Sequence, residues 1–409
     1  MNLRSWTRRG FRGGMSPVAT HNSSPPPWWI LGLVLVFALQ PQGILVADDT
    51  VPGAEGADIT AGVAGGTADE NRIDAGGTVF EPRFTINGGI ELNAIYLSPD
   101  DVGDAACEDS SDFYLSTAEL ILRAFFTEWI KAKVVVTAED IGRHDESGRL
   151  RADDALLTME TPWAPLYLAL GKTGMPFGVF EDHLIEGTLT EELYEVDQWG
   201  ATLGFAPDYH RLEVSLSVYR NPQIMENLED FNTHEARADA PEYGKFESFI
   251  ANVSLVPMEE MLALSVFYDN EPGDGTRNQS LGGALTLLVE PFILDLEYIT
   301  ALTRGKGEDE KENLESAAVA GLALELLESL QLAARYEVFR DDNREDRDEV
   351  LKDQWVGGCN IALSEYLDWP LADDITLTFE YRHSRFEKEV DSAAADSQDM
   401  AQVQLTLEF

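Results

Sequence analysis

From Phe84 to the C-terminus, apolar and polar residues alternate in short runs. In the last run Ala401, Val403, Leu405, Leu407 and Phe409 fall on one side, and Gln402, Gln404, Thr406 and Glu408 on the other. Asp374–Arg382 repeats the pattern, with Ile375, Leu377, Phe379 and Tyr381 opposing Thr376, Thr378, Glu380 and Arg382. So do Arg211–Arg220 and Phe292–Thr300. Successive side chains of a β-strand point to opposite faces, so each run predicts a strand with one apolar and one polar face. The first such strand is expected at Phe84, the fourth at Ala155, the tenth at Leu281 and the last at Met400. The Leu- and Ala-rich stretch 317–330 also suits a helix. The alternation of Glu325 with Leu324 and Leu326 assigns it to a strand.

Two features separate these strands from those of a soluble sandwich. The polar faces carry full charges at Glu91, Glu119, Arg123, Lys131, Lys133, Glu325, Arg335 and Glu380, which a watery lumen tolerates. Connections also alternate between short turns (Thr127-Glu128, Pro162–Pro165, Glu290-Pro291) and long acidic loops. The chain therefore reads as all-β: a transmembrane antiparallel β-barrel of about 16 strands with short periplasmic turns and long extracellular loops. Aromatic residues near strand ends, Tyr96, Phe126, Trp129, Trp163, Trp199, Tyr219, Phe267, Tyr268, Trp355, Tyr366, Trp369 and Tyr381, are candidates for interfacial girdles.

The segment before the barrel differs in composition. Residues 1–47 hold Arg4, Arg8, Arg9 and Arg12, no acidic residue, and an apolar run from Trp28 to Leu39, before Ala47 and Asp48-Asp49. A positive region, a short apolar region and a small residue at the end predict a secretory signal peptide over 1–47. The apolar run is too short for a membrane-spanning helix, which needs about 20 residues. Residues 48–82, rich in Gly, Ala, Asp and Thr, are expected to form a flexible periplasmic segment. The barrel is then expected over 83–409, in the outer membrane of a Gram-negative bacterium, among lipid and lipopolysaccharide. The terminal Phe409, after Val403, Leu405 and Leu407, resembles the signal that the barrel-assembly machinery reads.

The chain has 74 Asp and Glu against 29 Lys and Arg, a net charge of −45. This excludes a nucleic-acid partner and favours cations in any cavity the acids line. Cys107 and Cys359 form no disulfide framework and have no metal-binding neighbours, so neither a structural metal nor a cofactor is expected. The acidic stretches Asp269–Gly275 and Asp341–Glu349 lack the spacing of a helix-loop-helix calcium site and read as solvated loops. No nucleophile motif is present, so no enzyme is expected. His383 beside Ser384 is the only pairing that offers hydrolytic chemistry.

A barrel of about sixteen strands leaves an aqueous channel unless something fills it. The connection after the fifth strand, about 173–197, holds Phe177, Phe180, Leu184, Ile185, Leu189, Leu193 and Tyr194, which a solvated loop does not need. It is the third long loop and is expected to fold inward and narrow the pore. Its acids Glu181, Asp182, Glu186, Glu191, Glu192, Glu195 and Asp197 are then the candidate constriction, faced by Arg123, Lys131 and Lys133 on the opposite wall. Carboxylates in a narrow pore favour cations and repel anions.

Gly171-Lys172, Met175-Pro176-Phe177-Gly178-Val179-Phe180-Glu181, Leu189-Thr190-Glu191-Glu192-Leu193 and Trp199-Gly200-Ala201 resemble the siderophore-porin (legiobactin receptor-like) family of outer-membrane barrels. That resemblance covers some thirty residues of the chain and implies uptake of iron chelates. The expected function is thus passive or substrate-selective diffusion of small solutes, iron-siderophores among them. A homotrimer is expected by analogy with porins of this size. A general cation-selective porin, a non-conducting adhesive or receptor barrel, and a barrel hydrolase remain open alternatives at this point.

Overall fold

The structure is a computed structural model. It describes residues 80–99, 109–144, 148–207, 212–231, 245–258, 261–273, 276–304, 314–341, 350–366, 372, 374–387 and 397–409. The expected signal peptide, nearly all of the segment 48–82, Cys107 and Trp369 lie outside the described residues.

Sixteen antiparallel strands close into one barrel, each paired with its neighbours in sequence. They are β1 (Arg83–Ser98), β2 (Ser110–Thr127), β3 (Ile130–Ile141), β4 (Arg149–Glu160), β5 (Leu166–Gly174) and β6 (Asp197–Phe205). Next come β7 (Leu212–Tyr219), β8 (Ser248–Met258), β9 (Leu262–Pro272), β10 (Arg277–Val289) and β11 (Phe292–Thr303). The circuit ends with β12 (Glu315–Leu327), β13 (Leu330–Asp341), β14 (Leu351–Ala362), β15 (Asp374–Phe386) and β16 (Ser397–Glu408). β16 closes on β1 in the register Ile90↔Leu407, and Phe409 N and O exchange hydrogen bonds with Gly88 at 3.0 and 2.9 Å.

The alternation in the sequence becomes two surfaces. Residues such as Leu216 (50 % exposed) and Val266 (58 %) stand on the outside, while Ser215, Ser217, Glu337, Glu380, Gln402 and Gln404 are buried inside. The outward apolar face is what hydrocarbon requires, since a closed sheet satisfies its own backbone. Among the described residues no helix is long and apolar enough to cross a membrane. The stretch 315–327 is a strand, as the Glu325 alternation predicts.

Several boundaries and placements differ from expectation. β4 begins at Arg149 rather than Ala155, and β10 at Arg277 rather than Leu281. Asp269 and Glu271 are not in a solvated loop: β9 runs to Pro272, and both carboxylates are buried on its inner face. Of the proposed girdle, Phe126, Trp163, Trp199, Trp355, Tyr366 and Tyr381 are exposed, but Tyr219 and Phe267 are fully buried inside the barrel. His383 and Ser384 point to opposite faces, as strand neighbours must. The imidazole bonds Asp399 at 2.8 Å, and the hydroxyl donates inward to Gln354 at 3.0 Å. They form no pair. Cys359 is a free thiol.

Candidate functional site

The connection between β5 and β6, loop 3, enters the barrel and lines the inner wall from β9 round to β16. Its descent starts at the Met175–Phe180 motif. Phe177 is fully buried, edge-on to Phe267 with ring centroids 4.9 Å apart, and near Tyr194 at 6.4 Å. Gly178 has φ +92°, and the Phe180 ring fills the space a Cβ would take. The left-handed turn therefore selects glycine and lets the chain double back. At the loop's far end Leu184 packs with Ala323, Ala333 and Val356. The close approach is possible because Gly358 has no Cβ to meet the Leu184 side chain.

A loop crossing a lumen must find partners for its backbone groups, and charged wall residues supply them. Glu297 accepts from Val179 N at 2.7 Å and from the Thr190 hydroxyl at 2.6 Å. Glu380 accepts from Ile185 N at 2.6 Å and Glu186 N at 3.1 Å. Glu337 accepts from Leu189 N at 3.0 Å, the first residue of helix α1 (Leu189–Tyr194). Arg335 donates to the carbonyls of Glu186 and Gly187 at 3.1 and 2.8 Å and pairs with Asp182. Asn360 donates to the His183 carbonyl at 2.7 Å, and the His183 ring meets Asp295 at 3.0 Å.

The next loop joins in. Helix α2 (Gln223–Asp230), between β7 and β8, also lies inside, with Ile224, Met225 and Leu228 buried in one apolar cluster with Phe177, Leu189, Leu193 and Tyr194. The N-terminus of α2 has no cap from its own segment. Instead Glu271 on β9 accepts from Ile224 N at 2.9 Å and Met225 N at 3.3 Å. Asn227 ties the helix to the Glu195 carbonyl at 2.9 Å.

Loop 3 and α2 fill the β9–β16 side and leave a cavity of about 350 Å³ against the opposite wall. One side of it is built from Glu186, Glu191, Glu192 and Glu195 of loop 3 with Asp197, Gln223 and Asn227. The other comes from β1–β5, including Glu91, Asn93, Glu119, Glu139 and Asp153. Two β-bulges shape that wall. Where Glu91/Leu92 pair with Thr117/Leu115, Ser116 is extra and lines the cavity. Between Val134/Val136 and Ala155/Ala152 two consecutive aspartates face one residue. Asp154 there pairs with Lys133, while Asp153 reaches the cavity.

Five of the seven expected loop acids thus border the opening: Glu186, Glu191, Glu192, Glu195 and Asp197. Glu181 and Asp182 do not. Asp182 is spent on Arg335, and Glu181 lies by Asp295 and His183. Arg123, Lys131 and Lys133 are not brought to loop 3 either. Arg123 donates to Asn87 at 3.1 Å, and the two lysines pair with Glu160 and Asp154, each at 2.7 Å. The reason is position along the strand: Lys131 follows directly on the β2–β3 turn, at the rim of short turns. The cationic groups at the cavity are Arg143, Arg149, Arg151 and Lys172. Most are neutralised in place: Arg151 by Glu139 and Asp153, Lys172 by Asp197 at 2.7 Å, Arg143 by Asp140 at 3.5 Å. Arg149 is exposed.

The lining holds ten carboxylates against four cationic side chains. On α1, the Glu192 carboxyl is enclosed by the barrel while touching the cavity. It is pushed up to about 7 by desolvation first, then by Glu186 and Glu337, against the pull of Arg382 and Arg335. Burial likewise raises Glu191 well above the usual carboxylate range, aided by Glu195, Asp182 and Glu192. Such a lining holds a cation-attracting, partly protonated rim.

A closed sixteen-stranded antiparallel barrel with an apolar outer face is an outer-membrane β-barrel. Solved structures with this architecture include DcaP, an outer membrane channel of Acinetobacter baumannii. It has a TM-score of 0.57 and 13% identity, over 80% of this chain and 97% of that one. OmpF of Salmonella typhi in complex with daunomycin gives a TM-score of 0.53 at 11% identity, over 80% and 98%. OmpT, an outer membrane protein of Vibrio cholerae in trimer form, gives 0.52 at 12%, over 80% and 99%. At such identities the likeness is one of fold. No family sequence model matches the chain, and no curated protein sequence matches it.

Proposed function

We propose that this chain is a passive outer-membrane channel for small solutes, preferring cations, with its eyelet between loop 3 and the β1–β5 wall. The observation that carries this reading is the cavity beside loop 3, with ten carboxylates and four cationic groups on its lining. An inward loop that filled the lumen for stability alone would have no need of carboxylates on its free face. Fixed charges in a narrow, partly desolvated passage select by sign. The fold shared with an outer membrane channel supports conduction, and that shared with a trimer-form protein supports a homotrimer. Export by the 1–47 signal belongs to the same reading.

Iron chelates belong here as a solute to be tried. The Met175–Glu181 motif that carries that resemblance serves to fold the loop, and an acidic eyelet disfavours an anionic chelate.

The test is a planar-bilayer recording of residues 48–409 under a KCl gradient. Discrete steps with a cation-selective reversal potential, weakened in Glu119→Gln/Glu192→Gln, support the proposal. A folded barrel that never conducts overturns it and leaves an adhesive or receptor barrel. Stronger block by ferric chelates than by the iron-free chelators supports iron-chelate uptake, and equal or weaker block removes it.

A further inference from the structure

The eyelet is more than a ring of negative charge. Glu191 on loop 3 borders it and accepts from the Thr188 backbone N–H. Glu119 on β2 and Glu192 on loop 3 border it too, and among the described residues neither of these two side chains has an ion pair or hydrogen bond. They stand on different walls of one opening. Asn93 lines the same opening, is only 2 % exposed, and its Oδ1 accepts no hydrogen bond. The orientation of that amide is dictated by a relay. The Glu186 carboxylate can only accept, so Gln402 turns its Nε2 to it at 2.6 Å. Gln402 Oε1 then takes Asn93 Nδ2 at 2.9 Å, and Asn93 Oδ1 is the acceptor left over. A buried acceptor without a donor is destabilising and is relieved by an N–H brought to it.

The same lining also includes the apolar surfaces of Tyr114, Ile185 and Phe231. Carboxylates on separate walls, a spare buried acceptor and apolar side chains in the same lining match a solute with an ammonium at each end and a methylene stem. An amino acid fits less well. The cationic side chains that would receive its carboxylate are paired, except for exposed Arg149.

We propose that the eyelet is a recognition site for linear aliphatic diamines and polyamines, held by Glu119 and Glu192 through their ammonium groups and by Asn93 Oδ1. This rests on the channel reading above and names its solute class.

The experiment measures block of the potassium current through the refolded channel by putrescine and by Mg²⁺, which carry the same charge. Only putrescine offers N–H donors and a stem. One charge-assisted hydrogen bond is worth about 1.5–3 kcal/mol, so putrescine is expected to block at a concentration about tenfold lower than Mg²⁺, or less. Asn93→Leu keeps every charge and is expected to weaken putrescine block while leaving Mg²⁺ block in place. Should that variant not fold, as judged by heat-modifiable gel mobility, the wild-type ratio still decides. Equal block by the two dications overturns diamine recognition and leaves a cation channel standing. Absence of any potassium current overturns both readings.

Discussion

The acidic side chains inside this barrel do two different jobs, and their partners separate them. Glu297, Glu337 and Glu380 accept backbone N–H groups of loop 3, whereas Glu119 and Glu192 border the opening without such bonds. Arg335 is the counterpart of the first set, 4 % exposed and bound to Asp182, Glu337 and two loop carbonyls. Removing one partner of a buried charge network costs about 3–5 kcal/mol, because the rest is left uncompensated. Arg335→Met is therefore expected to lower the unfolding temperature and to release the loop, seen as noisier current and faster proteolysis between 180 and 190. Unchanged noise and protection would mean that the apolar cluster alone holds the loop. Glu192 belongs to the second set. With its carboxyl near 7, it gains charge as pH rises from about 6 to 8, so cation selectivity should climb over that interval. Its folded pKa lies above the ordinary value of 4.5, so its share of stability is whole below that value and is lost as pH rises through 7. Reversal potentials of wild type and Glu192→Gln from pH 5 to 9 test this: the variant should lose the step near neutrality.

At the scale of elements, loop 3 and α2 form one inward unit, joined by the Phe177–Leu193–Ile224–Leu228 cluster and fastened at Glu271. Barrel strands do not need it, since every strand already has two paired neighbours. Replacing residues 177–193 by a short Gly-Ser link should thus leave a folded barrel with several-fold larger conductance and little ion preference. A barrel that fails to assemble without them would show the unit to be part of the folding core. The strands and the inward loop were legible, because period two and misplaced aromatics are local signals. What escaped is instructive. Arg149, Arg151 and Asp153 alternate with Leu150 and Ala152, but so many charges read as loop, and β4 was expected to start late. Tyr219 and Phe267 share parity with Ser217 and Asp269, which assigns them inward, yet nearness to strand ends suggested a girdle. The α2 helix is announced by Ile224, Met225 and Leu228, but its cap lies on β9, far away in sequence. Which wall faced the loop was not legible either. Position along a strand, not charge alone, decides whether Arg151 or Lys131 meets the cavity.

For the whole molecule, the question is whether selectivity belongs to the eyelet or to the net charge of −45 spread over the chain. Salt separates the two. The screening length falls from about 10 Å at 0.1 M to about 3 Å at 1 M, so charges on exposed loops stop acting on ions a loop-length away. Carboxylates that line a cavity of about 350 Å³ stay within reach of any ion that passes. Cation preference should therefore decline between 0.1 and 1 M KCl to a residue that Glu119→Gln/Glu192→Gln removes. The same double variant should make a smaller fractional difference at 0.1 M, where the remaining acids still contribute. Reversal potentials at both salts, for both proteins, give the four numbers needed. If preference vanished at 1 M in the wild type, the field of the whole molecule would be the selector. The carboxylates on loop 3 would then matter only for the shape of the passage.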